Sequence, residues 1–102
     1  MEYHPSNSIP ISATIGGGSG IGNERTAIVY VSYEGCCYEV RIRSDSEPRI
    51  LDILYGLQRA LCIPQYEMML CYGQTRIDCH PFCSLKSLGI PEVVTLNLYR
   101  CI

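Results

Sequence analysis

The 102-residue chain has no dense run of charge of either sign: eight basic and ten acidic residues give a formal net charge of -2, and only 18% of positions are charged. Without a basic patch, a nucleic-acid surface is not expected. No apolar stretch approaches the length needed to span a bilayer, and no charged segment leading into an apolar core follows Met1. Neither membrane insertion nor secretion is therefore expected, and the expected location is cytoplasmic or nuclear. Histidine is scarce, with only His4 and His80, and the ten carboxylates show no isolated pair in an apolar setting. A thiol or hydroxyl nucleophile would lack a positioned base, so no catalytic residue is assigned and no cofactor is expected. The glycine-rich residues 16–22 are not followed by the lysine and hydroxyl residue of a phosphate-binding loop. The length allows one small domain with one core, and little room for a deep substrate cleft.

Cysteine, by contrast, is plentiful. Seven residues (Cys36, Cys37, Cys62, Cys71, Cys79, Cys83 and Cys101) form an odd set that cannot pair completely within one chain, so mostly free thiols are expected. Cys62 and Cys101 read as small buried hydrophobes. Cys36 and Cys37 are adjacent, without the two-residue spacing of a redox pair, and neighbours on a strand point to opposite faces. Cys79-His80-Pro81-Phe82-Cys83 is the segment closest to a metal motif. Two thiolates and an imidazole could supply part of a tetrahedral zinc site, which defines the alternative reading of a small zinc-stabilised or redox-responsive module on Cys79, His80 and Cys83. A strong zinc site presents cysteine pairs at both ends; here one cluster stands alone, and no metal is assigned.

The one long helical pattern covers residues 48–61. Ile50, Ile53, Leu54, Leu57 and Leu61 recur at spacings of three and four, a single apolar stripe. Ser46 is the expected cap and Pro48 falls in the first turn, while Pro64 drives Ile63 to extended geometry and stops the helix. Gly56 weakens the helix interior by about 1 kcal/mol against alanine. Residues 1–25 read as a flexible arm or linker, although Ile9, Ile11, Ala13 and Ile15 alternate as in a short strand that could join a sheet or engage a partner. Residues 27–33 and 36–43 form a hairpin around Glu34-Gly35, with Tyr38, Val40 and Ile42 on its core side. Residues 67–72 are a third strand and residues 75–78 a short edge strand. Leu85 and Leu88 mark a helical turn, and residues 93–100 alternate through Val94, Leu96 and Leu98 as the last strand. Tyr38, Tyr55 and Tyr72 are expected in or against the core.

This order of elements resembles ubiquitin and the wider ubiquitin-like, or β-grasp, family. Gly35 in the first hairpin, the helix followed by Ile63-Pro64, Leu70-Cys71-Tyr72-Gly73 before the short edge, and Leu85-Lys86-Ser87-Leu88-Gly89-Ile90 before the last strand carry the likeness. It implies an α+β fold, a four- to five-stranded mixed sheet packed on one helix, over residues 26–102. The family's conjugating members end in a tail with two glycines; this sequence ends Arg100-Cys101-Ile102, so the resemblance implies a non-conjugated domain, or a truncated modifier if the chain is a fragment. The family's recognition patch on the exposed sheet face maps onto Tyr33, Cys71, Asn97 and Tyr99, with two tyrosines and a cysteine in place of aliphatics. Lys86 is the lone lysine, which leaves the usual chain-building positions empty. The implied partner is another protein, met through the sheet face or edge, with self-association by the edge as a further route.

Overall fold

The computed structural model describes residues 8–14, 25–44, 47–91 and 93–101. Its strands are β1 (Ile9–Thr14), β2 (Arg25–Tyr33), β3 (Cys36–Ser44), β4 (Met68–Tyr72), β5 (Thr75–Arg76) and β6 (Thr95–Arg100), with one α-helix, α1 (Ile50–Leu61). They form a single sheet in the order β1-β3-β2-β6-β4-β5. The hairpin between β2 and β3 closes on Glu34 and Gly35, both with positive φ, the turn whose twist matches that of the strands it joins. β6 then enters the middle of the sheet, parallel to β2 and antiparallel to β4.

One face of the sheet is apolar by alternation. Val29 and Val31 of β2, Val40 and Ile42 of β3, and Leu96 and Leu98 of β6 are all buried. Against them lie Ile50, Ile53, Leu54 and Leu57 of the predicted helical stripe, each at most 4% exposed, while Leu61, its last member, is half-buried against the core. Helix and sheet thus cover each other's apolar faces, which neither could do alone.

The sheet has one strand more than expected. Ile9–Thr14 pairs in parallel with β3, and Ile11 is buried in the core, so the alternation of isoleucines describes these six residues and a structureless arm does not. The glycine-rich residues 16–22 lie outside the described residues.

The start of α1 differs from expectation. The helix begins at Ile50 with Arg49 as N-cap, which puts Pro48 ahead of the first turn; Ser46 lies outside the described residues. The carboxylate of Asp52, 6% exposed, accepts the Arg49 N–H at 2.9 Å, the reach-back half of a capping box. The next two amides are satisfied from far along the chain: Ile50 N–H donates to the Cys83 carbonyl (3.0 Å) and Leu51 N–H to the Pro81 carbonyl (2.9 Å). At the other end Cys62 stops the helix in the left-handed region, φ 57°, its N–H bonded to the Gln58 carbonyl, and Pro64 follows as predicted. That placement exposes Cys62, and Cys101 is exposed as well, so neither is the buried hydrophobe its composition suggested. Tyr55 is also exposed, on the outer side of α1, with the Arg59 guanidinium 5.8 Å from its ring centre.

Candidate functional site: the outer sheet face

The same alternation that buries Leu96, Leu98 and Leu70 turns Asn97, Tyr99, Met69 and Cys71 to the side away from α1. Register brings them together. Cys71 stands opposite Asn97 and Met69 opposite Tyr99 across the antiparallel β4–β6 pair. Asn97 is in turn beside Ser32, and Ser32 beside Cys37. A continuous polar row therefore crosses four strands, Cys71–Asn97–Ser32–Cys37, with Met69 and the 54% exposed Tyr99 as an apolar corner next to it.

Three of the four residues mapped by family resemblance, Cys71, Asn97 and Tyr99, thus share one patch. Tyr33 does not join them. It lies two residues beyond Val31 on β2, on the helix side, and packs against the core cluster. A hydrogen bond with Glu34 is the largest influence raising its phenol above the usual range, with burial and the Glu34 charge adding to it. Met69, Ser32 and Cys37 are the members of the patch that sequence reasoning missed. The alternation Met68-Met69-Leu70-Cys71 carried the signal for Met69, since Cys71 was already assigned outward. Cys37 faces outward too, half-buried; burial, then the nearby Glu39 carboxylate, push its thiol up. Cys36 is exposed at the strand end, so neither of the adjacent cysteines enters the core.

The segment Cys79-His80-Pro81-Phe82-Cys83 does something other than gather ligands. Its backbone folds through His80 N–H to Ile77 O (3.0 Å) and Cys83 N–H to His80 O (3.2 Å), and then delivers the Pro81 and Cys83 carbonyls to the start of α1. Just before it, Asp78 accepts the Leu70 N–H at 3.1 Å and holds Arg76 through both carboxylate oxygens at 2.8 and 2.9 Å. Cys79 and His80 are exposed, and the Cys79 thiol points to the Arg76 carbonyl. Among the described residues no three His, Cys, Asp or Glu side chains are grouped to hold a metal ion. All seven cysteines are free thiols.

A mixed sheet with a central strand entering last, one helix across its apolar face and a short edge strand is the ubiquitin-like β-grasp fold, here extended by β1. Solved structures bear this out. The chain is similar to the N-terminal ubiquitin-like domain of the 4931431F19Rik protein, with a TM-score of 0.63 and 16% identity over 86% of this chain and 88% of that one. It is also similar to the ubiquitin-like domain of yeast Ddi1, with a TM-score of 0.57 and 21% identity over 79% and 93% of the two chains. At these identities the likeness defines the fold. No family model matches the sequence, and no curated protein does. No helix among the described residues is long and apolar enough to cross a membrane.

Proposed function

We propose that this chain is a ubiquitin-like interaction domain that works in the cytoplasm or nucleus and binds a protein partner through its outer sheet face. The observation that carries the reading is the β4–β6 register, which sets Met69 and Tyr99 side by side next to Cys71 and Asn97. Tyr99 presents a large, stiff ring with a polar tip, the kind of side chain that anchors interfaces, and Met69 offers an adaptable apolar neighbour. Asn97 and Cys71 provide the polar groups that penalise a mismatched partner. The chain is still held to the body at Cys101, whose N–H reaches the Glu67 carbonyl at 2.6 Å, and Arg100 is paired with Glu67 at 2.8 Å.

The test is a selection for proteins that bind the immobilised chain, repeated on a Met69→Ser, Tyr99→Ser double variant, with amide shifts mapping each partner found. A true anchor loses on the order of 30-fold in affinity when truncated, and the shifts should centre on Met69, Cys71, Asn97 and Tyr99. Partners that bind both forms equally, with shifts confined to the α1 side, would refute it.

A further inference from the structure

Each end of α1 presents an apolar surface that the outer sheet face does not include. At the start is a projection: Phe82, the sole phenylalanine of the chain, is 74% exposed. Its backbone is fastened on both sides. The Pro81 and Cys83 carbonyls accept the Leu51 and Ile50 amides, and the Cys83 N–H donates to the His80 carbonyl at 3.2 Å. A ring held out by a fixed loop has little main-chain freedom left to lose on binding. At the far end of α1 is an open groove of about 680 Å³, to which Tyr55, Ile63, Pro64 and Tyr66 give apolar surface and Gln58 and Gln65 polar groups. Tyr66, 86% exposed, stands largely in water. The twelve residues of α1 separate the two ends by about 18 Å. Phe82 therefore cannot fill the groove of its own chain.

We propose that Phe82 docks into the Tyr55–Tyr66 groove of a second copy, joining chains head to tail. Charge selects this occupant. None of the residues lining the groove is ionised at neutral pH, and Arg59, over the Tyr55 ring, is not one of them. The segment Cys79-His80-Pro81-Phe82-Cys83 carries no formal charge with His80 neutral. Docking one on the other desolvates no ion, whereas a charged segment entering the groove would lose its hydration without gaining a partner. The ring chemistry matches as well. A phenylalanine preceded by proline meets two tyrosines and Pro64, and aromatic pairs gain more than their buried area alone supplies. Peg and groove are different surfaces at opposite ends of one helix, so each docked copy leaves a free peg and a free groove, and the contact repeats into an open chain or a closed ring. It is independent of partner binding at the outer sheet face.

The test is assembly of the full chain in reductant, which keeps the seven free thiols from linking copies. One anchoring ring supports weak association, so translational diffusion should slow as the concentration rises to on the order of 1 mM. Phe82→Ser has a groove and no peg, and Tyr66→Ser has a peg and a damaged groove. Each should self-associate about tenfold to about a hundredfold more weakly than the unaltered chain. Both side chains are exposed, so both variants should fold. Mixed together, the two should pair through the intact peg of one and the intact groove of the other, and stop at a dimer. Labelled Phe82→Ser should then show amide shifts at Tyr55, Ile63 and Tyr66, and labelled Tyr66→Ser shifts within residues 79–83. The Met69→Ser, Tyr99→Ser double variant should assemble as the unaltered chain does. Constant diffusion up to that concentration, full-strength assembly of either single variant, or a mixture that stays monomeric would each overturn the proposal. So would loss of assembly in the double variant, which would put the contact on the outer sheet face.

Discussion

Asp52 is the residue whose removal should reveal how α1 is begun. Its carboxylate is 6% exposed and accepts the Arg49 N–H at 2.9 Å, while the Arg49 guanidinium is 3.8 Å away on a side chain that is 46% exposed. Two effects are lost in Asp52→Ala. The hydrogen bond to the cap contributes roughly 0.5–2 kcal/mol, and a negative charge in the first turn roughly 0.3–1 kcal/mol against the helix dipole. Together they make Asp52→Ala cost about 1–3 kcal/mol, a fall in Tm of roughly 5–15 °C for a domain this small. Asp52→Asn keeps an acceptor and loses the charge, so it should cost about 0.5–1 kcal/mol. The exposed ion pair is long and solvent-screened, and Arg49→Ala should stay within about 0.5 kcal/mol. Urea unfolding of the three variants measures all of this with one assay. An Arg49→Ala cost equal to that of Asp52→Ala would refute the reasoning, because the ion pair and not the cap would then be the source of stability.

Other perturbations follow from the same geometry. Replacing Cys79, His80 and Cys83 together by serine, glutamine and serine should shift Tm by less than about 3 °C, with or without chelator, since backbone carbonyls and not side chains close the helix; a large metal-dependent change would restore the zinc reading. Cys62→Gly should stabilise the chain by about 0.5–1 kcal/mol in thermal melts, because φ 57° is strained for a residue with a Cβ; a loss of stability would mean the Cys62 side chain makes a contact worth more than the strain. The raised thiol of Cys37 should alkylate more slowly in the folded than in the unfolded chain at pH 8, by mass spectrometry. The sign for stability follows: the unfolded thiol ionises first, so folding is unaffected below its ordinary pKa and is weakened as pH rises through that value toward the folded one. The raised phenols of Tyr33 and Tyr38 extend the same trend further into alkali. Unfolding free energy that stays flat or rises over that range would contradict it.

Much of the architecture could be read from pattern alone. The spacing of Ile50, Ile53, Leu54 and Leu57 gave the helix because burial selects one face of a 3.6-residue period, and the parity of Leu96 and Leu98 gave the inward side of β6. Where reading failed, the deciding contact came from elsewhere in the chain. Nothing near Ile9–Thr14 announces β3 as its partner, and the glycine-rich residues after it suppress a strand assignment. Ser46 looked like a cap because caps are usually local, whereas the donors at the start of α1 are met by Asp52 and by carbonyls from residues 81 and 83. Tyr33 was misplaced for a different reason: family resemblance located it near the patch, but one residue of register decides the face, and its parity with Val29 and Val31 was the better guide. Cys62 and Tyr55 looked internal by residue type, and the helix end and the outer helix side put them in water.

The seal on α1 by the carbonyls of Pro81 and Cys83 also sets an order of events in folding. An element that looks self-contained over a dozen residues cannot exchange water for protein partners at its leading amides until a stretch some thirty positions downstream has been synthesised and has swung back across it. Placing that seal closes a loop of about thirty residues, and such non-local closure slows folding relative to a helical bundle of equal size. A ribosome-bound chain ending before residue 81 should show an incomplete helix, and the whole domain should snap together only once the closing stretch is free.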